Sequence, residues 1–366
     1  MYFAKVILHQ VIFIQFCLCI YFYTDLSTIV KVLASLQAYV ASYFVAFWTL
    51  KLIYKCSCMR VTGDNKCVLI TGCDSGFGQE ASIKLNKLGF KVFATCLDPN
   101  GNGAKQLISE AADPNRMVVI GMDVTKDKDI ENAYETVKKC MSSSECLFGL
   151  VNNAGIAIAG ELDFGPDLSD CNKIIDINLM GMIKVTRQFL PLIRKSKGRI
   201  VNVESLAGLL PMPYSIFYAV SKTAAAGFSD NLRIGMYRFG VSVVSINPYL
   251  YRTSITNAKT LINQYENNYK QSSDEVRQAY GKKFVQRGKI GIAITNFATK
   301  SSAVPNTIVN ALTVYEPDPR YIVAPKIMEP ILRSFLWIPK ESLEVFFQMS
   351  CWILGTHRVY PDNLEK

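Results

Sequence analysis

From residue 66 onward, short apolar runs alternate with helix-like segments, and that alternation leaves few folds open. Residues 67–71 (CVLIT) have the length and β-branched content of a buried strand. Residues 79–88 follow as a helix, closed by Gly89. Residues 91–96, 117–120, 148–151, 198–203 and 241–246 repeat the strand signal. Residues 127–141 and 215–238 read as helices, and 321–324 supplies a seventh strand. Strands separated by helices call for βαβ crossovers, hence a parallel sheet covered on both faces. The expectation is an α/β fold with a single doubly wound parallel sheet over residues 64–325. Residues 257–287, polar and charged with Tyr265, Tyr269 and Tyr280 spaced along them, read as a helical insertion or lid.

The flanks of that domain are of another kind. Nineteen residues between Lys5 and Asp25 carry no Asp, Glu, Lys or Arg, and neither do nineteen between Lys31 and Lys51. Each is close to the ~20 apolar residues that cross a bilayer. Residues 1–60 are therefore expected to be a membrane anchor of one or two transmembrane helices. Their length and doubling argue against a cleaved signal peptide. Lys51, Lys55, Arg60 and Lys66 follow the second stretch. If the two stretches form a hairpin, these cations put both the N-terminus and the following domain on the cytosolic side. One span preceded by an interfacial segment is the other reading. Residues 326–366 form a C-terminal extension. Within it, Phe335, Trp337, Phe346 and Trp352 are interrupted by Arg333, Pro339, Lys340 and Glu344. That pattern suits an amphipathic segment lying on a membrane or packing on the domain.

Composition narrows the function. Of the net charge of +10, residues 1–60 hold five cations against Asp25, and no Lys/Arg tract alternates with aromatics. That points to a membrane surface and away from nucleic acid. His9 and His357 are the two histidines in 366 residues, which excludes a multi-histidine zinc site, and no metal site is expected. The eleven cysteines lack paired spacing and read as free thiols.

The chemistry gathers at the strand ends. The first strand runs into Thr71-Gly72-Cys73-Asp74-Ser75-Gly76-Phe77-Gly78 and straight into a helix. Glycines let a backbone approach a phosphate, and a helix N-terminus offers it N–H groups. The expected sheet is therefore of Rossmann type. Asp98, after the second strand, can accept from a ribose 2′-hydroxyl and repel a 2′-phosphate, favouring NAD over NADP. It can also be a turn residue before Pro99. Asp123, after the third strand, can accept from an adenine amino group or cap the next helix. Asn152-Asn153-Ala154-Gly155 can line a cofactor floor or simply turn the chain. Tyr218 and Lys222, four apart, share one helix face. A phenol with a pKa of about 10 is a poor base at neutral pH, and a lysine cation beside it favours the phenolate. Ser205 lies thirteen residues before Tyr218, and Asn178 twenty-seven before Ser205.

Together, Thr71–Gly78, Asn152–Gly155, Asn178, Ser205 and Tyr218-Ala-Val-Ser-Lys222 resemble the short-chain dehydrogenase/reductase family over roughly residues 64–325. The wording T-G-C-D-S-G-F-G is similar to the branch with retinol, 17β-hydroxysteroid, type 2 11β-hydroxysteroid and 3-hydroxybutyrate dehydrogenases. The resemblance implies Tyr218 as general acid/base, Ser205 on the reacting oxygen and Lys222 on the nicotinamide ribose. It implies Asn178 as anchor of a proton-relay water. It implies a pyrophosphate held by Gly72, Ser75, Gly76, Phe77 and Gly78, with Asp98 selecting NAD. It further implies Pro248 beside the nicotinamide and Thr253 on its carboxamide, with Asp123, Asn152, Ala154 and Gly155 completing the cofactor site. The expected protein is an NAD-dependent oxidoreductase interconverting hydroxyl and carbonyl on a lipophilic substrate, a steroid or retinoid. It would be a homodimer paired through the helices bearing Asn178 and Tyr218. Endoplasmic reticulum membrane is the expected location, with a mitochondrial membrane as the alternative. A 3-hydroxybutyrate-type dehydrogenase is the competing enzymatic reading, supported by Lys282, Lys283, Arg287 and Lys289 in the lid. A non-catalytic NAD- or lipid-binding scaffold is the other. Two departures bear on these: Tyr249 stands where the family has glycine, and Glu204 where it has serine. Strand alternation predicts that Glu204 points away from the site.

Overall fold

The computed structural model describes residues 11–19, 28–56, 60–253, 255–298 and 301–338, and positions 342, 343, 345 and 349 beyond them. The chain divides into two compact units, one formed by Met1–Val61 with Val314–Glu316, the other by Thr62–Thr313 with Pro317–Lys366.

In the first unit, α1 (Thr28–Cys56) contains Val30–Leu50, 21 residues of mean hydropathy 1.4. Among the described residues it is the one helix long and apolar enough to cross a membrane. Many of its apolar side chains are exposed, Val32, Leu36 and Trp48 among them, while Ala38, Ala46 and Leu50 are buried. Of the expected first span, residues 11–19 are helical, and Phe13 packs edge-on against Tyr39 of α1 at 4.9 Å. The rest of that span lies outside the described residues.

The second unit is the expected doubly wound sheet. Seven parallel strands lie in the order β3-β2-β1-β4-β5-β6-β7. They are β1 (Lys66–Ile70), β2 (Lys91–Cys96), β3 (Met117–Gly121), β4 (Cys146–Asn152), β5 (Arg199–Val203), β6 (Ser242–Pro248) and β7 (Arg320–Val323). Side chains of the central strands are buried on both faces, which is why these segments read as continuous apolar runs. Between the strands run α2 (Gly76–Lys87), α3 (Asn102–Ser109), α4 (Asp127–Cys140), α5 (Ser169–Ile175), α6 (Met182–Lys195) and α7 (Ile216–Tyr237). In α6, Met182, Val185, Thr186, Phe189 and Ile193 recur at helical spacing and bury one stripe. Phe189 and Ile193 join Leu147, Leu150 and Ile200 of the sheet in one core. The strand order reverses at β1, since β2 and β3 lie to one side and β4 to β7 to the other. A crevice opens there past the strand C-termini.

The polar stretch after β6 forms two helices, α8 (Ala258–Gln271) and α9 (Asp274–Ala293). Their Tyr265, Tyr269 and Tyr280 pack around Phe164, with ring centroids 5.0 to 5.4 Å apart. Helix α10 (Ala303–Thr313) returns the chain to β7. In the C-terminal extension, α11 (Met328–Phe335) packs on the domain. Leu332 and Leu343 are buried with Leu206, Leu210 and Ile322, whereas Trp337 is 87% exposed. Phe346 and Trp352, on which the amphipathic reading also rests, lie outside the described residues.

Candidate active site

The turn after β1 is locked to the turn after β4. Thr71 Oγ1 accepts from the backbone N–H groups of Asn153 and Ala154, both at 2.9 Å. Asn153 Nδ2 in return donates to the carbonyls of Thr71 and Gly72, both at 2.9 Å. The glycines answer to this packing. Gly72 has φ +69, and a Cβ there would lie 2.8 Å from Ala154 Cα. A Cβ on Gly78 would lie 2.5 Å from Asn153 Nδ2 and 2.6 Å from Gly72 O. Ser75 is the N-cap of α2 in extended conformation, and its hydroxyl takes none of the first-turn amides. The positive end of the helix thus faces the cavity that Ser75, Gly76 and Phe77 line. Cys73, beneath the loop, is buried against Ser82, and burial pushes its thiol far above the usual range, so it is an inert packing group.

That cavity, of about 390 Å³, collects residues at or past the ends of β1 to β6. Asp123 reaches it after β3. Burial pushes its carboxyl upward, but the N–H and hydroxyl of Thr125, at 3.0 and 2.7 Å, and the Lys126 cation hold it below the ordinary value. Across the cavity, Thr253 faces the loop, its Cγ2 3.7 Å from where a Gly76 Cβ would sit.

The reactive groups line the wall made by β5 and α7. Ser205 follows β5, and its hydroxyl accepts from Ala207 N at 3.1 Å. Tyr218 and Lys222 stand one turn apart on α7, with Lys222 Nζ 5.8 Å from the Tyr218 ring centroid. Burial raises the Tyr218 phenol above its ordinary value, and the neighbour that pulls it back is the Ser205 hydroxyl. Lys222, 5% exposed, donates to Val203 O at 3.2 Å. Burial draws its ammonium down to about 8 while Glu204 pulls the other way. Asn178 sits in a wide turn (Asp176–Gly181) between α5 and α6. Its Nδ2 donates to Ile156 O at 2.9 Å and to the Ser221 hydroxyl at 3.0 Å, and its Oδ1 accepts from Ile156 N at 2.8 Å. A Cβ on Gly155 would lie 3.1 Å from Asn178 Oδ1 and 3.6 Å from Lys222 Nζ, so both side chains converge on that glycine.

Of the residues singled out from sequence, Gly72, Ser75, Gly76, Phe77, Asp123, Ala154, Gly155, Ser205, Tyr218, Lys222, Pro248 and Thr253 line the cavity. Gly78, Asp98, Asn152 and Asn178 are not among the residues that line it. Asn152 turns its amide away, donating to Thr186 Oγ1 at 2.9 Å and Asn202 Oδ1 at 2.8 Å, so it ties β4 to α6 and β5. Asp98 is exposed beside Leu97, its Oδ1 accepting from Asn100 N at 3.0 Å. The backbone that carries it is held by Asp74, a residue of the glycine turn that has no assigned role on sequence grounds. The Asp74 carboxylate accepts from Leu97 N at 2.9 Å and Asp98 N at 3.2 Å. Glu204 corrects a further expectation. Strand β5 ends at Val203, so alternation does not govern residue 204, and Glu204 lines the cavity. Tyr249 lines it too, and packs with Met328 and Phe335 of α11 on the cluster around Leu332.

The sequence pattern of the short chain dehydrogenase family matches residues 66–263. "Retinol dehydrogenase 16" from Homo sapiens is 37% identical over 259 residues, 70% of this chain and 80% of that protein. "D-beta-hydroxybutyrate dehydrogenase, mitochondrial" from Rattus norvegicus is 35% identical over 70% of this chain and 76% of its own length. "Estradiol 17-beta-dehydrogenase 2" from Mus musculus is 35% identical over 75% of this chain and 70% of its own. A crystal structure of a short-chain dehydrogenase from Streptomyces avermitilis shares the fold, with TM-score 0.61, 21% identity, and coverage of 78% of this chain and 97% of that one. The chain belongs to the short-chain dehydrogenase/reductase family. It is an oxidoreductase acting on CH–OH donors with an NAD(P) cofactor. The site fits such a dinucleotide: the α2 N-terminus, with no side chain capping its first-turn amides, faces a cavity lined by Gly72, Ser75, Gly76 and Phe77.

Proposed function

We propose that this chain is a membrane-anchored, NAD-dependent dehydrogenase that oxidises an alcohol on a lipophilic molecule, a retinoid or a steroid. The observation that carries this reading is one cavity bearing Ser205, Tyr218 and Lys222 together with the Gly72–Phe77 turn. When bound, NAD supplies the carbon that accepts the hydride. The α2 N-terminus and the Gly72–Phe77 backbone hold its pyrophosphate. Asp123 receives the adenine end, and Asp98, presented by Asp74, meets the ribose and favours NAD over NADP. Pro248 and Thr253 border the nicotinamide end. Ser205 hydrogen-bonds the substrate oxygen, and Tyr218 takes the hydroxyl proton during oxidation and returns it during reduction. Lys222 binds the nicotinamide ribose, and Asn178 holds the Gly155–Ile156 wall against it.

The cavity walls favour a lipophilic substrate. Ile156, Tyr249, Tyr251 and Ile255 border the cavity, and among the described residues lining it Lys222 is the one cation. A hydroxy acid needs a further cation for its carboxylate. Lys289 of the lid pairs with Glu266 at 3.3 Å and does not line the cavity. The relative named for hydroxybutyrate keeps that reading as an arm of the test. Helix α1 supports a membrane anchor at residues 1–60, with the domain of residues 64–325 on the cytosolic face of the endoplasmic reticulum. A homodimer through α7, which bears Tyr218, and the α5–α6 stretch that bears Asn178 belongs to the same proposal.

The test is the absorbance of reduced nicotinamide in membranes carrying the full chain. NAD or NADP is supplied with retinol, a panel of steroid alcohols or 3-hydroxybutyrate. Signal with NAD and a lipophilic alcohol is expected. Turnover of the hydroxy acid alone would overturn the substrate reading, and equal use of NADP the cofactor reading.

A further inference from the structure

Glu204 is a carboxyl group where nothing in the reaction above requires one. It is 3% exposed, directly precedes Ser205 and lines the cavity. One oxygen, Oε2, accepts from Asn247 Nδ2 at 3.0 Å, and the same amide donates to Ser205 O at 3.2 Å. Glu204 N also donates to Ile246 O at 2.8 Å. These bonds fasten the chain past β5 to the end of β6, just before Pro248. The other oxygen, Oε1, is buried with no hydrogen-bond partner, and so is Asn247 Oδ1. A buried carboxyl with an unmatched oxygen is costly unless a positive charge faces it. Among the described residues lining the cavity Lys222 is the one cation, and no ion pair or hydrogen bond joins it to the carboxyl directly. Its ammonium bonds the carbonyl of Val203, the residue joined to Glu204, and Glu204 is the charged neighbour that acts on it.

We propose that Glu204 is a positioning residue of this site, the buried counter-charge to the Lys222 ammonium, while its Oε2 clamps β6 through Asn247. The inference rests on Lys222 being the cofactor-binding lysine of the proposed function. The groups around the pair are few. Helix α7 contributes Tyr218 and Lys222, the chain past β5 contributes Glu204 and Ser205, and β6 contributes Asn247. Tyr249 and Tyr251 follow β6, and Tyr251 in turn feels Glu329 of α11. Glu204 acts without an added ligand, so its role is testable in the cofactor-free protein.

The experiment follows thermal unfolding of the full chain in detergent from pH 6 to 11, without cofactor. Variants are Glu204→Gln, Lys222→Met and the double substitution. Folded Lys222 has a pKa of about 8, and an unfolded lysine is near 10.4. Between these values the unfolded chain holds a proton that the native chain has released, so Lys222 makes stability rise with pH, beginning near 8. Buried Cys67, Cys73 and Cys96 keep protons that their unfolded forms release, so they oppose that rise. Subtracting the matching Lys222→Met curve in each background cancels them and isolates the lysine. Removing an opposite charge at close range favours the neutral amine further. Glu204→Gln should therefore start the rise at least about one pH unit lower. Glutamine still accepts from Asn247, so a purely structural clamp predicts an unmoved onset, and that result would overturn the proposal. Should Glu204→Gln not fold, Glu204→Ser is scanned in its place and judged by the same onset. The pH profile of turnover should shift in the same direction. A shifted unfolding onset in a protein with no dehydrogenase turnover would sink the functional reading and leave the Glu204–Lys222 pairing standing.

Discussion

Replacing Gly78 by alanine tests whether the glycine turn owes its shape to the β4 turn. The new Cβ would sit 2.5 Å from Asn153 Nδ2 and 2.6 Å from Gly72 O, and the second of these is backbone that cannot swing aside. Asn153 must leave, losing its bonds to Thr71 O and Gly72 O. Two such bonds contribute about 1 kcal/mol each, and the residual overpacking costs about 1–3 kcal/mol. Alanine recovers about 1 kcal/mol of helix propensity in the first turn of α2. The net loss is about 2–4 kcal/mol, or a fall in melting temperature of about 4–16 °C for a domain of this size. Because Gly72 and Gly76 move with the turn, affinity for reduced NAD should fall at least tenfold, equivalent to about 1.4 kcal/mol. Scanning fluorimetry reads the first quantity and nicotinamide fluorescence titration the second. Gly227→Ala is the control, since nothing lies within 4 Å of its added Cβ. It should be neutral or slightly stabilising. Parental melting and parental affinity in Gly78→Ala would show that the turn does not owe its shape to a glycine at this position.

Three further substitutions separate roles that the site brings together. Asn152→Ala removes two buried bonds and should cost about 2–4 kcal/mol in thermal unfolding. Its affinity for reduced NAD, read by fluorescence, should stay within about threefold of the parent, because the side chain faces away from the cavity. Asp98→Ala should narrow the preference for NAD over NADP by about tenfold or more in steady-state kinetics, since a repelling carboxylate is lost. Glu161 is pushed up to about 7 by burial and by Asp163, with Tyr265 opposing. An unfolded glutamate is near 4.3, so the native chain keeps a proton that the unfolded chain has released, and stability falls as pH rises toward 7. Glu161→Gln should flatten that fall, raising stability at pH 8 relative to pH 5 by up to about 3 kcal/mol in paired melting curves.

The parts of this protein that are legible in its sequence are those fixed by local pattern. The strand at 91–96 reads directly because burial on both faces makes it one continuous apolar run, and the helix at 127–140 because one buried face sets its apolar spacing. Helix α6 is harder to see, although its stripe from Met182 to Ile193 is regular, because Gly181 precedes it and Pro191 interrupts it. Helix α10 hides behind Pro305 in its first turn. In the site, Ser205, Tyr218 and Lys222 are legible because helix spacing and chain order bring them together. Side-chain direction past a strand end is not. The neighbours Asn152 and Asn153 divide their work, one toward α6 and β5, the other toward the glycine turn, and no spacing rule distinguishes them. Glu204 escapes for the same reason, lying one residue beyond the strand whose alternation would orient it.

In the proposed reaction Tyr218 works on an alcohol whose carbon surrenders hydride to the cofactor in this cavity. Its most direct test is label transfer. Membranes carrying the full chain are given NAD and a retinol or steroid alcohol deuterated at the carbinol carbon, and the nicotinamide product is read by mass spectrometry. One deuterium is expected in the reduced cofactor with the parent chain. A loss of about 10²-fold or more is expected in Tyr218→Phe, with binding of reduced NAD retained. Equal label transfer by Tyr218→Phe would contradict the claim.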